Sequence, residues 1–272
     1  MSKSIQTMFE PLASRYELVN HVFTFGLDAV WRTKAAEIAT RMAASTARPA
    51  GRTQSGGTTA GEAQPSGTEG EVSTHVWLDV STGTGEMAEV LSRRAATHTL
   101  VVASDFSLPM LRGALNKKRV HGATPTRRDA GAQRILLIAS DDQQLPVRDA
   151  SVDLVTISLG TRNLNASRDA LVSCFREFYR VLKSGGRFVN LETSQPNSRL
   201  VRALFHGYVR RFVRPLASVL SGNSSAYSYL ASTVCSFYEA DELSGIIKEA
   251  GFSRVDVARL FLGVAAIHAA EK

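Results

Sequence analysis

"WLDVSTGTGEMAEVL", residues 77–91, is the stretch on which the fold turns. An apolar run ends in two glycines one residue apart, Gly83 and Gly85, and an acidic residue, Glu86, opens the helical pattern that follows. Glycine lets the backbone adopt φ > 0 and come close to a ligand without a Cβ in the way. A helix start presents N–H groups that have no partner inside the helix. The stretch therefore reads as a strand, a tight turn and a helix that together hold a ligand.

Outward from that loop, strands and helices alternate. Strand candidates are 75–80, 99–105, 134–140, 152–160, 186–193, 253–260 and 263–270, and "RDALVSCFREFYRVLK" (168–183) is one of the helices between them. The first four strands are nearly continuous apolar runs, as expected where helices cover both faces of a parallel sheet. The last two have no helix between them and predict an antiparallel hairpin at the sheet edge. The fold class expected is α/β, a doubly wound, mostly parallel seven-stranded sheet with its ligand at the carboxyl ends of the strands. Residues 1–44 read as an N-terminal helical cap, and a helical insert at about 197–234 follows the fifth strand. Residues 45–74, rich in Gly, Ser, Thr and Pro, bury too little surface to offset their ordering entropy and read as a flexible insertion; 75–272 is the main domain.

The choice of ligand follows from the acidic residues. A dinucleotide loop needs a third glycine, where Ala88 stands, and the Glu86 carboxylate would repel a pyrophosphate. A ligand carrying ammonium and sulfonium groups suits the turn better, which favours S-adenosylmethionine over a nicotinamide dinucleotide. Asp105 ends the second strand, where a carboxylate accepts hydrogen bonds from both ribose hydroxyls, a device that nicotinamide sites share. Read alone, Asp105 is also an N-cap for the next helix. In "SDDQQLP" (140–146), Asp141 and Asp142 are placed to meet an adenine, although in isolation they read as an ordinary turn pair. Three such features at successive strand ends select S-adenosylmethionine.

Bulk properties narrow the class. The 272 residues suit one large domain, and 44% hydrophobic content supplies a core. Cys174 and Cys235 have no metal-ligand spacing, which points to a reduced, cytosolic chain without disulfides. The N-terminus has no long apolar run, so no secretory signal or organelle leader is expected, and no stretch approaches a membrane span. The net charge of +7 is scattered, with one local cluster in "YVRRFVRP" (208–215). Arginines interleaved with apolar residues suit either an amphipathic helix on anionic lipid or a solvated face. No zinc-finger or RNA-binding aromatic motif is present, so nucleic acid is not expected as a partner.

Longer motifs carry a family likeness. "MFEPLASRYELVNHVFTFGLDAVWR", "LDVSTGTGEMA", "SDDQQLPVRDASVDLVTISLGTRN", "REFYRVLKSGGRFVNLETSQP" and the tail from "AYSYLASTVCSFYEADEL" to the end together resemble the ubiquinone/menaquinone-biosynthesis C-methyltransferase family. The likeness covers nearly everything outside 45–74. It implies S-adenosylmethionine contacts at Gly83 and Thr84, the ribose on Asp105, adenine near Asp141 and Asp142, and Ser158 near the reacting end of the fourth strand. It implies methyl transfer to a ring carbon of a polyprenylated quinol, with demethylmenaquinol preferred. Arg162 and Asn163 are then expected to stabilise and orient the phenolate, and Tyr16 and Asn20 to close the pocket. His206 and Tyr208 are candidate proton acceptors, and His268 reads as structural. The chain departs from the family's pattern at Thr82, where a glycine is usual, at Glu86, where an aspartate is usual, and in "DDQQ". The longer Glu86 is expected to meet the methionine ammonium. Arg162 paired with a carboxylate, only shaping its loop, is the competing expectation.

A membrane-embedded tail and a chain without a span imply peripheral contact at the inner face of the cell membrane, with 199–220 lining a tail tunnel or touching lipid. A homodimer is usual for such folds. A small-molecule N- or O-methyltransferase, an NAD-dependent oxidoreductase and a non-catalytic assembly partner on the same fold remain the alternatives.

Overall fold

The computed structural model describes residues 20–46, 74–121, 135–213, 215 and 231–272, apart from Val22. Tyr16, Arg214, most of the 45–74 insertion and the 216–230 part of the helical insert lie outside the described residues. The strands are β1 (His75–Val80), β2 (Thr99–Asp105), β3 (Ile135–Ala139), β4 (Val152–Ser158), β5 (Leu182–Thr193), β6 (Arg254–Leu260) and β7 (Ala265–Glu271). They form one seven-stranded sheet in the order β3-β2-β1-β4-β5-β7-β6. β1 pairs in parallel with both β2 and β4, whereas β7 runs antiparallel between β5 and β6. The expected edge hairpin is therefore present. The strand order reverses between β1 and β4, and in a doubly wound sheet a ligand binds outside that switch point.

Two apolar layers sandwich the sheet. On one face, the helix α1 (Leu27–Thr46) lays Trp31, Ala35, Ala36, Ala39 and Ala43 against Met87, Leu91, Val189, Leu191 and Ile267. A row of alanines lets this helix approach the strands closely. The other face is covered by α5 (Arg168–Val181) and α7 (Ala240–Glu249), whose apolar stripes bury Phe175, Phe178, Ile246 and Ile247. Phe175, Phe178 and Phe188 pack as a triad with ring centroids 5.5–6.1 Å apart, each pair contributing about 1 kcal/mol beyond its burial. α5 starts cleanly because Ser167 accepts the Ala170 N–H at 3.1 Å.

The remaining helices are α2 (Glu86–Ser92), α3 (Leu108–His121), α4 (Thr161–Leu164) and α6 (Arg199–Tyr208), the last continuing into a π-helical turn, Val209–Val213. One expectation needs correcting. β3 is an edge strand whose Leu136 is half exposed, so its apolar run does not report burial on both faces. β5 also begins four residues earlier than its pattern suggests, because a bulge absorbs the lysine and glycines between Leu182 and Arg187.

Candidate active site

At the switch point, the ends of β1 and β4 turn away sharply. Ser81 (φ 48°) and Leu159 (φ 56°) both adopt the left-handed conformation, as do Gly83 and Gly85. For non-glycine residues this costs on the order of 1 kcal/mol each and tends to persist at functional sites. The two turns pass so closely that a Cβ on Gly160 would lie 2.8 Å from the Cβ of Ser81, so only glycine fits there. Between the turns opens a cavity whose wall includes Asp79, Ser81–Thr84, Glu86, Asp105, Ser158, Gly160 and Asn163, with Asn20 and Arg32 closing it from the N-terminal side.

Two buried carboxylates, Asp79 and Asp105, line it, and a third, Asp142, stands behind Ser81. Asp105 is held from both sides: its Oδ2 accepts the Gly83 N–H and its Oδ1 the Ser107 N–H, each at 2.8 Å. Burial nevertheless raises its carboxyl above the ordinary range, against those two bonds. Asp79 is fully buried; Thr82 and Thr156 donate to its two oxygens at 2.6 and 2.7 Å. Burial lifts it to about 6, opposed by the threonine bonds and the Arg32 charge and assisted by Asp105. Asp142 accepts a short bond from Ser81 Oγ, and burial pushes it up to about 7. The site thus stores negative charge that is incompletely ionised at neutral pH, which a cationic ligand would draw out.

Glu86 does not face the cavity as an open anion. Arg32 Nη1 bridges Glu86 Oε2 at 2.7 Å and Asp28 Oδ2 at 2.6 Å, and Lys117 Nζ lies 3.6 Å from Glu86 Oε1. Lys117 also donates to Thr84 Oγ1 at 3.2 Å. Burial alone would raise Asp28, but bonds from His21 and Thr24 and the Arg32 charge hold it below the ordinary range. Glu86 therefore ties α1 to the glycine loop, while Asp79, buried on the cavity wall, is held by two threonine hydroxyls. Thr82 uses its hydroxyl to fix Asp79.

The expected residues divide into three groups. Gly83, Thr84, Asp105, Ser158 and Asn163 share the cavity wall, together with Asn20. Asp142 reaches the wall only through Ser81, and Asp141 is exposed, its Oδ1 capping the Gln143 N–H of a turn. The turn-pair expectation thus describes Asp141. Arg162 is buried away from the wall: its Nη1 bonds Glu192 Oε1 at 2.9 Å and Thr193 Oγ1 at 3.1 Å, and its own N–H bonds Glu192 Oε2 at 3.0 Å. The expected carboxylate partner for Arg162 is present. His206 Nε2 is 2.7 Å from Gln195 Oε1, with burial and the Arg210 and Arg202 charges lowering its pKa. His268 donates to Ala240 O at 2.8 Å, and burial lowers it to about 4, so it is a neutral structural imidazole. Sequence reasoning missed Asp79 and Arg32 as wall residues; the acidic end of β1, four residues before Gly83, was the available signal.

A second cavity, of about 290 Å³, adjoins the first. Its wall is apolar: Phe23, Phe25 and Trp31 from the N-terminal side, Val201, Leu204, Phe205 and Tyr208 from α6, and Phe261, Leu262 and Val264 from the β6–β7 turn. The Tyr208 hydroxyl donates to Phe23 O at 3.1 Å and its ring stacks on Phe25, which fixes α6 over the opening. Thr193 lines this second cavity while bonded to Arg162, whose neighbour Asn163 lines the first. Thr193, Arg162 and Asn163 thus link an acidic, polar cavity to a greasy one.

Comparison with known proteins agrees with this geometry. The model of the ubiE/COQ5 methyltransferase family matches residues 1–272. Demethylmenaquinone methyltransferase from Thermus thermophilus is 32% identical over 265 residues, 97% of this chain and 100% of that protein. Ubiquinone/menaquinone biosynthesis C-methyltransferase UbiE from Geotalea daltonii is 32% identical over 272 residues, 99% of this chain and 97% of its own length. A solved structure from Thermotoga maritima, a "SAM-dependent methyltransferase, possible histamine N-methyltransferase", superposes with a TM-score of 0.55 at 15% identity, covering 98% of this chain and 99% of that one, a likeness of fold alone. The full-length family match and these relatives lead to one assignment: this chain belongs to the ubiE/COQ5 methyltransferase family.

Proposed function

We propose that the chain is an S-adenosylmethionine-dependent C-methyltransferase that methylates the ring of a polyprenylated quinol, converting demethylmenaquinol to menaquinol. The observation carrying this reading is the juxtaposition of the carboxylate-lined cavity and the apolar cavity across Asn163, Arg162 and Thr193. A small-molecule N- or O-methyltransferase would have no use for the second cavity. An NAD-dependent oxidoreductase would have to seat a pyrophosphate among Asp79, Asp105 and Glu86.

The first cavity fits the cofactor. Asp105 keeps lone pairs for ribose hydroxyls, Asp79 faces an ammonium, and Thr84 and Gly83 supply the loop. Ser158 Oγ and Asn163 Oδ1 are buried and have no partner among the described residues, which suits a ligand that donates to them. When bound, S-adenosylmethionine supplies an electrophilic methyl on a sulfonium. The chain's part is to hold the quinol ring beside that position and exclude water, which lowers the barrier by several kcal/mol. Asn163 orients the ring hydroxyl. Arg162, through Thr193 and its charge, favours the phenolate that makes the ring carbon nucleophilic. Asp142 supports the adenine side through Ser81, with Asp141 on the outer turn. The enzyme works at the inner face of the cell membrane, where its substrate's tail resides; among the described residues no helix is long and apolar enough to cross a bilayer.

Incubation with methyl-labelled S-adenosylmethionine and reduced demethylmenaquinone is the test. Labelled menaquinol supports the reading; binding of S-adenosylhomocysteine without product would leave a non-catalytic family member. A pH dependence should accompany it. Asp79 at about 6 is half protonated near that pH, and an ammonium-bearing ligand prefers it ionised. Affinity for S-adenosylhomocysteine is expected to rise between about pH 5 and 8 with proton release on binding. The stability of the ligand-free protein runs the other way. The raised carboxyls of Asp79 and Asp142 stabilise the fold most below their unfolded pKa, and that contribution is lost as pH climbs through about 6 and 7. Calorimetric titration in buffers of different ionisation enthalpy reads the proton; a flat affinity across the range would refute the role given to Asp79.

A further inference from the structure

We infer that the mouth of the apolar cavity is a bilayer-docking surface, in which the tips at Phe25 and at Phe261–Leu262 enter an anionic lipid leaflet beside the outer face of α6. The inference rests on the quinol reading above and deepens it, because it gives the membrane-held substrate a specific way in.

Four of the large apolar side chains exposed to water line this one cavity: Phe25 (77% exposed), Leu204, Phe261 and Leu262 (74%). Leu200 lies one turn before Leu204 on α6, and Phe212 extends the row by stacking on Tyr208, which itself stacks on Phe25. Isolated exposed apolar residues need no explanation, but a contiguous set around an opening does.

Backbone conformation supplies an independent observation. Phe25 (φ 54°), Phe261 (φ 42°) and Leu262 (φ 58°) are all left-handed, and each tip is followed by a glycine of positive φ, Gly26 and Gly263. Left-handed bulky residues are strained, and in water these three side chains gain little burial in return. Two tips distant in sequence share the same unfavourable arrangement at the same cavity. Insertion into hydrocarbon supplies the missing compensation.

Charge identifies the leaflet. Between Glu192 and Glu239 the sequence has five arginines and no acidic residue. Arg199, Arg210 and Arg211 are exposed beside the apolar face of α6, while Arg202 is turned to Glu239 at 2.5 Å. Guanidinium groups flanking exposed rings suit anionic headgroups, since each basic residue near the surface adds to the attraction. A polyprenyl tail longer than the cavity then stays in the hydrocarbon while its ring enters between Phe25 and Leu262.

The test is flotation of the full chain with phosphatidylcholine vesicles, with and without phosphatidylglycerol. Wild type is expected to float with the anionic vesicles. The Phe25→Asn/Phe261→Asn/Leu262→Asn variant is expected to bind at least about tenfold more weakly. Asparagine tolerates the left-handed region, so this variant should fold, as retained S-adenosylhomocysteine affinity will confirm. In a separate variant, Leu262→Trp should add, to the emission of Trp31 and Trp77, indole emission that bilayer-brominated lipid quenches beyond the wild-type level. Wild type that ignores both vesicle types overturns the inference. So does a triple variant that floats like wild type while the emission of the Leu262→Trp variant stays unquenched. Concentration-dependent dimerisation that the triple variant abolishes, without flotation, would assign the surface to a second copy instead. Methyl transfer to a short-tailed, water-soluble quinol by wild type is scored separately, so that a wrong surface is distinguished from a wrong reaction.

Discussion

Replacing Arg162 with methionine is expected to destabilise the protein by about 3–5 kcal/mol, read from denaturant unfolding of the ligand-free chain. The reason is the state in which it leaves Glu192. That carboxylate is fully buried, and among the described residues Arg162 supplies the one full positive charge bonded to it, with further bonds from the N–H groups of Arg162 and Thr193 and from the Thr193 hydroxyl. Removing the guanidinium leaves a charge in low dielectric, and the cost falls on the fold whatever Arg162 does in catalysis. Adding Glu192→Gln should recover part of the loss, because a neutral amide needs no counter-charge, although its NH₂ must face one of the two backbone N–H groups that Glu192 now accepts. The double variant then separates two roles. If Arg162 acts by favouring the phenolate, the stabilised double variant stays slow, by about 10²–10³ in kcat. If the ion pair only shapes the loop, activity returns with stability. A single variant as stable as wild type would mean that the pair does not form as described.

This pair shows where sequence reading succeeds and where it stops. The loop around Gly83 and the carboxylate at Asp105 were legible because their chemistry is local: a strand end, a turn and a residue at the next strand end sit at fixed places in an alternating pattern. The β6–β7 hairpin was legible from the missing helix between two apolar runs. Asp141 stands exposed in a turn, and a turn aspartate and a ligand aspartate look alike in sequence until the turn's direction is known. The ion pair of Glu86 was not legible because it depends on Arg32, 54 residues earlier and brought near only when α1 docks through its alanine row. Asp79 went unnoticed because nothing in the apolar run of β1 reveals that Thr156, 77 residues on, will donate to it. Long-range pairs like these depend on sheet order, which one sequence leaves open. Thr82 and Glu86 make physical sense only in three dimensions: Thr82 fixes Asp79, and Glu86 spans to Arg32.

Asp105→Ala is expected to weaken S-adenosylhomocysteine binding by about a hundredfold or more, the largest loss from any single change in the cavity wall. Two charge-assisted hydrogen bonds to a ribose contribute about 1.5–3 kcal/mol each. The carboxylate also organises the wall. It holds the Gly83 N–H, and with it a loop at φ 58°, and it holds the Ser107 N–H at the start of α3. Alanine thus leaves one buried and one half-buried donor without that acceptor, and a fall in melting temperature should accompany the lost affinity. Asp105→Asn tests the division between these effects. The amide retains one oxygen, so one backbone donor stays satisfied, while its NH₂ must face the other. That donor-to-donor conflict predicts an intermediate stability and an affinity loss nearer tenfold. A residue serving only as a helix cap would give a different pattern: Asp105→Asn and Asp105→Ala would both lower the melting temperature, yet titration with S-adenosylhomocysteine would return wild-type affinity. That outcome would remove Asp105 from the cofactor site. It would also move the negative charge that selects the ligand onto Asp79 alone, a position where burial already keeps half the population neutral near pH 6.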